Sequence, residues 1–483
     1  MPRLNILFVV SECVPFAKTG GLADVAGALP AALAERGHDV RVVLPRYRVT
    51  KKHPAKKLDR VLVVPMGYGD AYGAVLETTL PKSTAKVYFL EHDNLYDRDG
   101  IYGDSRGDFG DNLARFTFLS RGALELCDLL DFTPDVIHVQ DWPTSLVPVY
   151  LNTTYRHRRV GPAASVLTIH NMAYQGWSGK DDFPVTGLGW ETFVRGGLSR
   201  HDSVNLLQGG LVHSTMVSTV SPGYAAEIQT REGGEGLDGL LRARGDVVGI
   251  LNGIDDTIWD PRTDKFLAAN YSHTDLAGKA ACKAALQREM GLPERPDVPL
   301  LGMISRLVAQ KGIDVFAAAL DRILAEDVQV VVLGSGEKWA EGLFTRLSHQ
   351  TPHFRAFIGM NEPLSHRIEA GADLFLMPSR YEPCGLNQMY SQRYGTLPIV
   401  RAVGGLDDTV DNFVTGFKFD ELSGAALAQC VEWALHAYHH EPAHFRAMML
   451  RSMQKPMGWA HACRQYEAMF RLAMARRRGA LPP

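Results

Sequence analysis

The run Ile6 to Val10 stops at Ser11-Glu12, too soon for a signal-peptide core or a membrane-spanning helix. The expectation is a soluble, unprocessed protein of the cytoplasm. Cysteine is sparse: Cys13, Cys127, Cys282, Cys384, Cys430 and Cys463 lie far apart, with no C-x-x-C pair and no clustered Cys/His spacing. That excludes a zinc ribbon or a disulfide framework and predicts free thiols. Excess charge is missing too, since 51 Lys plus Arg stand against 54 Asp plus Glu, a net charge of -3. A dedicated nucleic-acid binder is disfavoured. No solenoid repeat or low-complexity tract occurs, and no G-x-G-x-x-G follows the first apolar run, which argues against the usual dinucleotide site.

What remains is an ordinary globular composition over 483 residues, 46% hydrophobic and 22% charged. At roughly 150 residues per domain, this length suggests about two to four domains. Short apolar runs alternate with amphipathic helical stretches. Strands are predicted at Asn5 to Val10, Asp39 to Leu44, Lys86 to Leu90, Asp135 to Val139 and Ser165 to Ile169, with a helix from Gly21 to Arg36 stopped by Gly37. A second set comprises Pro299 to Ile304, Val328 to Leu333, Arg355 to Ile358, Leu374 to Met377 and Leu397 to Val400. The fold class is therefore α/β, two Rossmann-like doubly wound domains facing a central cleft. An Asn-Gly turn and Asp260-Pro261 place the hinge in Leu251 to Pro261. The predicted division is residues 1–254, residues 255–458, and a final helical stretch, 459–483, crossing back onto the first domain. The tail Arg476 to Pro483 reads as a frayed, solvated end.

Ligands in such sheets sit beyond the carboxyl ends of strands, so the strand-to-helix loops carry the candidates. After the first strand, Lys18-Thr-Gly-Gly21 opens a helix; glycines let backbone approach an anion, helix N–H groups point at it, and Lys18 adds a mobile charge. The plain alternative is a surface lysine beside a turn. After Ile304, Arg306 and Lys311 can converge on one diphosphate, where losing one preorganised donor typically costs about 3 to 4 kcal/mol, roughly 10² to 10³ in rate. The alternative is two solvated basic residues before a helix. In Met377 to Tyr390, Glu382 stands just before Pro383, where a carboxylate suits a helix start and can also accept from sugar hydroxyls. Gly404-Gly405 forms a further glycine pair at a helix start. His170-Asn171 and Gln140-Asp141-Trp142 also follow strand ends, either as catalytic groups or as polar caps. Asp97-Arg-Asp99 has the D-x-D spacing of metal-dependent sugar transferases, but no further ligands accompany it and a turn is the expected reading.

Taken in order, Lys18 to Val25, Thr168 to Gly176, Leu251 to Gly253, Ser305 to Leu307 with Gln310 to Gly312, and Ser379 to Leu386 resemble the bacterial glycogen synthases, retaining glucosyltransferases of starch synthase type. The resemblance spans nearly the whole chain. It implies a GT-B fold, ADP-glucose as donor, an α-1,4-glucan such as glycogen as acceptor, and no metal or organic cofactor. No nucleic acid or membrane partner is implied, and no oligomeric state follows from it. By motif, Arg306 and Lys311 would grip the leaving diphosphate, Glu382 would lie near the transferred glucose, and His170 and Asp141 would face the reacting carbon. Lys18, Gly20 and Gly21 would reach the donor from the other domain. Asn171, Asn252, Cys384, Gly385, Leu386, Gly404 and Gly405 complete the implied substrate-binding set.

Three positions depart from the pattern of related transferases. Tyr390 stands where a second glutamate often binds ribose, Gln140 where His commonly precedes Asp-Trp, and Met360 where an aromatic can cover the base. Competing readings are a sugar-nucleotide epimerase or hydrolase, a glucan- or nucleotide-binding protein with incomplete catalytic geometry, and an NAD-dependent oxidoreductase. The joint presence of Lys18, His170, Arg306, Lys311 and Glu382 disfavours the binding protein, and the missing glycine fingerprint disfavours the oxidoreductase.

Overall fold

A computed structural model describes residues 2–479. The chain divides into two compact units, one comprising residues up to Val220, 225–253 and the segment from Trp459 onward, the other 221–224 with 254–458.

The first unit is built on a nine-stranded sheet: β1 (Asn5–Val9), β2 (Asp39–Pro45), β3 (Lys56–Met66), β4 (Gly69–Thr79), β5 (Lys86–Glu91), β6 (Val136–Gln140), β7 (Ala164–Ile169), β8 (Met216–Thr219) and β9 (Val247–Gly249). The spatial order is β9-β8-β7-β6-β1-β2-β5-β4-β3. The strands from β9 to β5 are parallel, while β4 and β3 add an antiparallel hairpin. Strand order reverses between β1 and β6, so the loops after these two strands flank the crevice that such sheets use for ligands. β1 and β6 are buried almost throughout, as in a sheet covered by helices on both faces, and β6 carries His138 and Gln140 within its otherwise apolar run. The sequence analysis did not place this hairpin, although β3 carries the apolar run Val61 to Met66, in which Leu62, Val64 and Met66 are buried and Val61 and Val63 meet water.

The helix Gly21–Glu35 buries Leu22, Val25, Ala26, Leu29 and Leu33, a spacing of three and four residues that makes one apolar stripe. It ends at Gly37, whose φ of 93° is accessible to glycine without strain. The helix Trp459–Arg477 packs Tyr466, Met469 and Phe470 into the same core as β1 and Gly21–Glu35. Its Glu467 is buried and accepts from Arg36 Nε (2.6 Å) and Nη2 (2.9 Å) and lies 3.1 Å from His38 Nε2. The Arg36 hydrogen bonds hold the Glu467 carboxyl down at about 2, against the opposing effect of burial. The frayed tail is corrected here: Arg476 pairs with Asp246 at 2.6 Å, and Arg477 donates to the Asn152 side chain and the Gly161 carbonyl, each at 2.6 Å. The rest of that expectation, from residue 480 on, lies outside the described residues.

The second unit holds six parallel strands: β10 (Leu300–Ile304), β11 (Gln329–Gly334), β12 (Phe354–Ile358), β13 (Leu374–Met377), β14 (Leu397–Arg401) and β15 (Phe417–Phe419). Their order is β12-β11-β10-β13-β14-β15. Again the order reverses beside the first strand, between β10 and β13, and the loops carrying Arg306, Lys311 and Glu382 follow those two strands. No helix among the described residues is long and apolar enough to cross a membrane.

Candidate active site

In the first unit the glycine loop after β1 is held from below by a residue the sequence reading passed over. Glu12 is buried. It accepts from the backbone N–H groups of Thr19 and Gly20 (3.1 Å for Gly20), from Thr19 Oγ1 at 2.6 Å and from the Tyr102 hydroxyl at 2.6 Å. A carboxylate taking hydrogen bonds from consecutive backbone amides fixes a loop far more firmly than glycine-rich sequence would by itself. Above this clamp, side-chain positions at Gly20 and Gly21 meet nothing within 4 Å, so the turn faces open space. Lys18 is half exposed and pairs with Asp24 at 2.6 Å.

The ends of β6 and β7 converge beside it. Asp141 adopts φ 53° with ψ −168°, a strained backbone conformation that side chains other than glycine's rarely take. Its Oδ1 accepts from the backbone N–H of His170 (2.6 Å) and of Asn171 (3.4 Å). Burial pushes the Asp141 carboxyl up to about 7, with those two amides pulling the other way. His170 Nε2 lies 2.8 Å from Gln140 Oε1, and burial lowers its imidazole to about 3, so the ring is neutral near pH 7. Asn171 turns back on its own loop, its Oδ1 accepting from Ala173 N at 3.0 Å. Asn252 is buried with no hydrogen bond recorded on its Oδ1.

In the second unit, Lys311 Nζ donates to Glu382 Oε2 at 2.6 Å, and Ser379 Oγ donates to the same oxygen at 3.0 Å. Arg306 is exposed on the same loop, its Nη2 reaching Gln310 Oε1 at 3.3 Å. Gly312 lets the chain turn here: its φ is 68°, and a Cβ would lie 1.8 Å from the Pro378 carbonyl oxygen. The β10 and β13 loops therefore touch through backbone that only glycine permits. Glu382 is not at a helix start, which corrects the sequence expectation. Gly385 (φ 72°) breaks the chain, and the helix Asn387–Arg393 begins five residues after Glu382, with Leu386 as its cap. The carboxylate consequently serves Lys311 and Ser379, and helix-dipole complementation does not explain it. Asn387 ties the helix to β10 by donating to the Ile304 carbonyl at 2.7 Å. Cys384 is buried beneath, and a Cβ on Gly405 would fall 2.2 Å from the Cys384 carbonyl oxygen. Close packing alone requires glycine at 405; Gly404 opens the short helix Gly404–Thr409.

Asp97 and Asp99 bind Arg48 at 2.9 and 3.1 Å, and Asp97 also binds Lys51 at 3.0 Å, so this D-x-D is an ion-paired loop. Among the described residues, no three His, Cys, Asp or Glu side chains cluster as metal ligands would.

Residues 5–243 match the family described as starch synthase catalytic domain, and residues 289–447 match glycosyl transferases group 1. Glycogen synthase 1 of Geobacter metallireducens is 52% identical over 99% of this chain and 98% of its own length. Glycogen synthase of an Anaeromyxobacter species is 50% identical over 97% of this chain and 99% of its own. Among solved structures, the catalytic domain of starch synthase IV from Arabidopsis thaliana, bound to ADP and acarbose, superposes with a TM-score of 0.91 at 33% identity, covering 98% of this chain and all of that one. Two doubly wound units of GT-B type, these loops at their switch points, and identity of about half over nearly the full length lead to one conclusion: the chain belongs to the glycogen synthase family of glycosyltransferases.

Proposed function

We propose that this protein transfers glucose from ADP-glucose to the non-reducing end of an α-1,4-glucan in the cytoplasm, with retention of anomeric configuration and release of ADP, and so builds glycogen. The observation that carries the reading is the cationic loop after β10, where Arg306 is exposed to meet an anion and Lys311 is held in place by Glu382. When the bond from anomeric carbon to phosphate oxygen breaks, negative charge accumulates on the diphosphate and positive charge on the sugar. Cations already fixed in position stabilise the departing ADP without reorganising at that moment. Glu382 orients the lysine and accepts from glucose hydroxyls, with Ser379 holding the carboxylate. The Cys384 to Leu386 turn and the Gly404-Gly405 backbone shape the sugar pocket.

In the first unit, Lys18 and the amides of Gly20 and Gly21 contact the donor, and Asn171 and Asn252 contact substrate hydroxyls. Asp141 and the His170 carbonyl oxygen stabilise the oxocarbenium-like centre. The departing phosphate oxygen takes the proton of the attacking hydroxyl, so the new bond forms on the face the ADP leaves. Support for ADP as the carrier comes from the starch synthase IV relative, whose structure holds ADP. The six cysteines are buried and none is in a disulfide, which fits a reducing compartment.

The test supplies purified protein with ADP-glucose and UDP-glucose in parallel, with and without glycogen, and follows both diphosphate release and chain length. ADP release that depends on glycogen and matches added glucose supports the reading. Release indifferent to glycogen makes the protein a hydrolase. Trapping a glucosyl adduct on Glu382 or Asp141 overturns the single-step route.

A further inference from the structure

Gln140 closes β6 with its side chain enclosed, 2% exposed. One hydroxyl pins its backbone twice: the Gln140 N–H donates to Thr144 Oγ1 at 2.7 Å, and that hydroxyl donates to the Gln140 carbonyl at 2.9 Å. From this fixed base the amide oxygen reaches to 2.8 Å from His170 Nε2, while Asp141, the next residue, holds the His170 backbone N–H at 2.6 Å. Two consecutive residues of one strand end thus grip the histidine at its ring and at its backbone. The other ring nitrogen, Nδ1, makes no hydrogen bond to any described residue. The Gln140 amide nitrogen is buried and likewise lacks a partner. A half-satisfied buried amide is a liability that an apolar side chain of equal size would avoid, so the one hydrogen bond it does make calls for an explanation.

An amide oxygen can only accept, so the proton of an uncharged imidazole facing it must sit on Nε2, leaving a lone pair on Nδ1. We propose that Gln140 is a positioning residue that fixes the His170 ring as its Nε2–H tautomer and so keeps Nδ1 an acceptor toward the reacting sugars. The role in turnover rests on the glucosyl-transfer reading; the tautomer does not. The ionisable groups beside His170 are His138, which interacts with the ring, and Asp141, which holds the backbone N–H, with Glu12 acting on Asp141 from the β1 loop. His138 is itself pushed down to about 3 by burial and stays neutral. Burial keeps the His170 ring uncharged, so its tautomer is a meaningful variable across the working range.

The experiment is ¹⁵N NMR of the histidine-labelled full chain, with the His170 signal assigned by its loss in His170→Ala. The result expected between pH 6 and 8 is a protonated Nε2 and a bare Nδ1. In Gln140→Met, which keeps the volume and removes the amide, the two tautomers should mix. Its kcat for glucan elongation should fall about tenfold to a hundredfold, with KM for ADP-glucose within about threefold and Tm no lower. A bare Nε2 in the unsubstituted protein overturns the proposal, as does an unchanged His170 spectrum or an unchanged kcat in a folded Gln140→Met. Should that variant fail to fold, the spectrum of the unsubstituted protein alone decides. A protein that shows the expected tautomer yet elongates no glucan refutes glucosyl transfer and leaves the tautomer assignment standing.

Discussion

Replacing Lys311 by alanine separates catalysis from folding. In the folded protein its ammonium sits 2.6 Å from Glu382, with the lysine side chain about one-fifth exposed and the glutamate 7% exposed. Removing the cation leaves the Glu382 carboxylate with the Ser379 hydroxyl. For a pair that water still reaches from one side, the stability loss should be about 1 to 2 kcal/mol, well short of that for a sealed ion pair. In a unit of roughly 200 residues that lowers Tm by less than about 8 °C. The same substitution deletes a fixed positive charge from the position where the leaving diphosphate gains charge, about 3 to 4 kcal/mol of transition-state stabilisation, or roughly 10² to 10³ in kcat. The assay pairs calorimetry with ADP release at saturating ADP-glucose and glycogen. A kcat within about fivefold of the unsubstituted enzyme, or a loss of activity that tracks the loss of folded protein, refutes the assignment of Lys311 to the leaving group.

Glu12→Ala should leave the Thr19 and Gly20 amides unpaired and the Tyr102 hydroxyl with Ser11 Oγ alone, raising KM for ADP-glucose about tenfold or more while the glucan KM moves little; steady-state kinetics with each substrate varied checks this. Because the Asp141 carboxyl is raised to about 7, its buried charge weakens the folded state as pH rises from about 4 through 7. Asp141→Asn should therefore be at least as stable as the unsubstituted protein at pH 8. If the ionised form stabilises the sugar cation, kcat should rise with pH through about 7 and lose that limb in the variant. Glu467 titrates the opposite way: its stabilisation is full above about 4.5 and is lost as pH falls toward 2. Glu467→Ala removes the buried partner of Arg36, whose side chain water still reaches, and should cost about 1 to 2 kcal/mol, read by denaturant unfolding of the full chain at pH 7. Gly312→Ala meets both a positive φ and the Pro378 carbonyl, so it should lower stability by more than about 1 kcal/mol and reduce activity with it.

Much of the site was legible because a parallel strand announces itself as an apolar run, and the residues just past it are where ligands bind. Arg306, Lys311 and His170 could be placed at strand ends on that basis, and β13 was bounded correctly at Leu374–Met377. Glu12 stands at such a strand end too, but its importance comes from Tyr102, ninety residues away, and from amides whose orientation no residue type reveals. Glu382 was misplaced at a helix start because Pro383 is a good first helical residue. The left-handed Gly385 two positions later cancels that signal, and only the folded chain shows which of the two prevails. The β3–β4 hairpin is a different case: burial alternates along Val61 to Met66 while the residue types stay apolar, so its one wet face is not written in the sequence.

The helix Trp459–Arg477 belongs to the core laid down around β1, yet in the chain it follows the whole second unit. Until then the nascent first unit has a bare oily trough where Tyr466 and Phe470 will lodge, and Arg36 has no counter-ion. Completion of the first unit's core thus waits until the second unit has been translated. Chains that stall after the second unit should be the ones that chaperones hold or proteases clear.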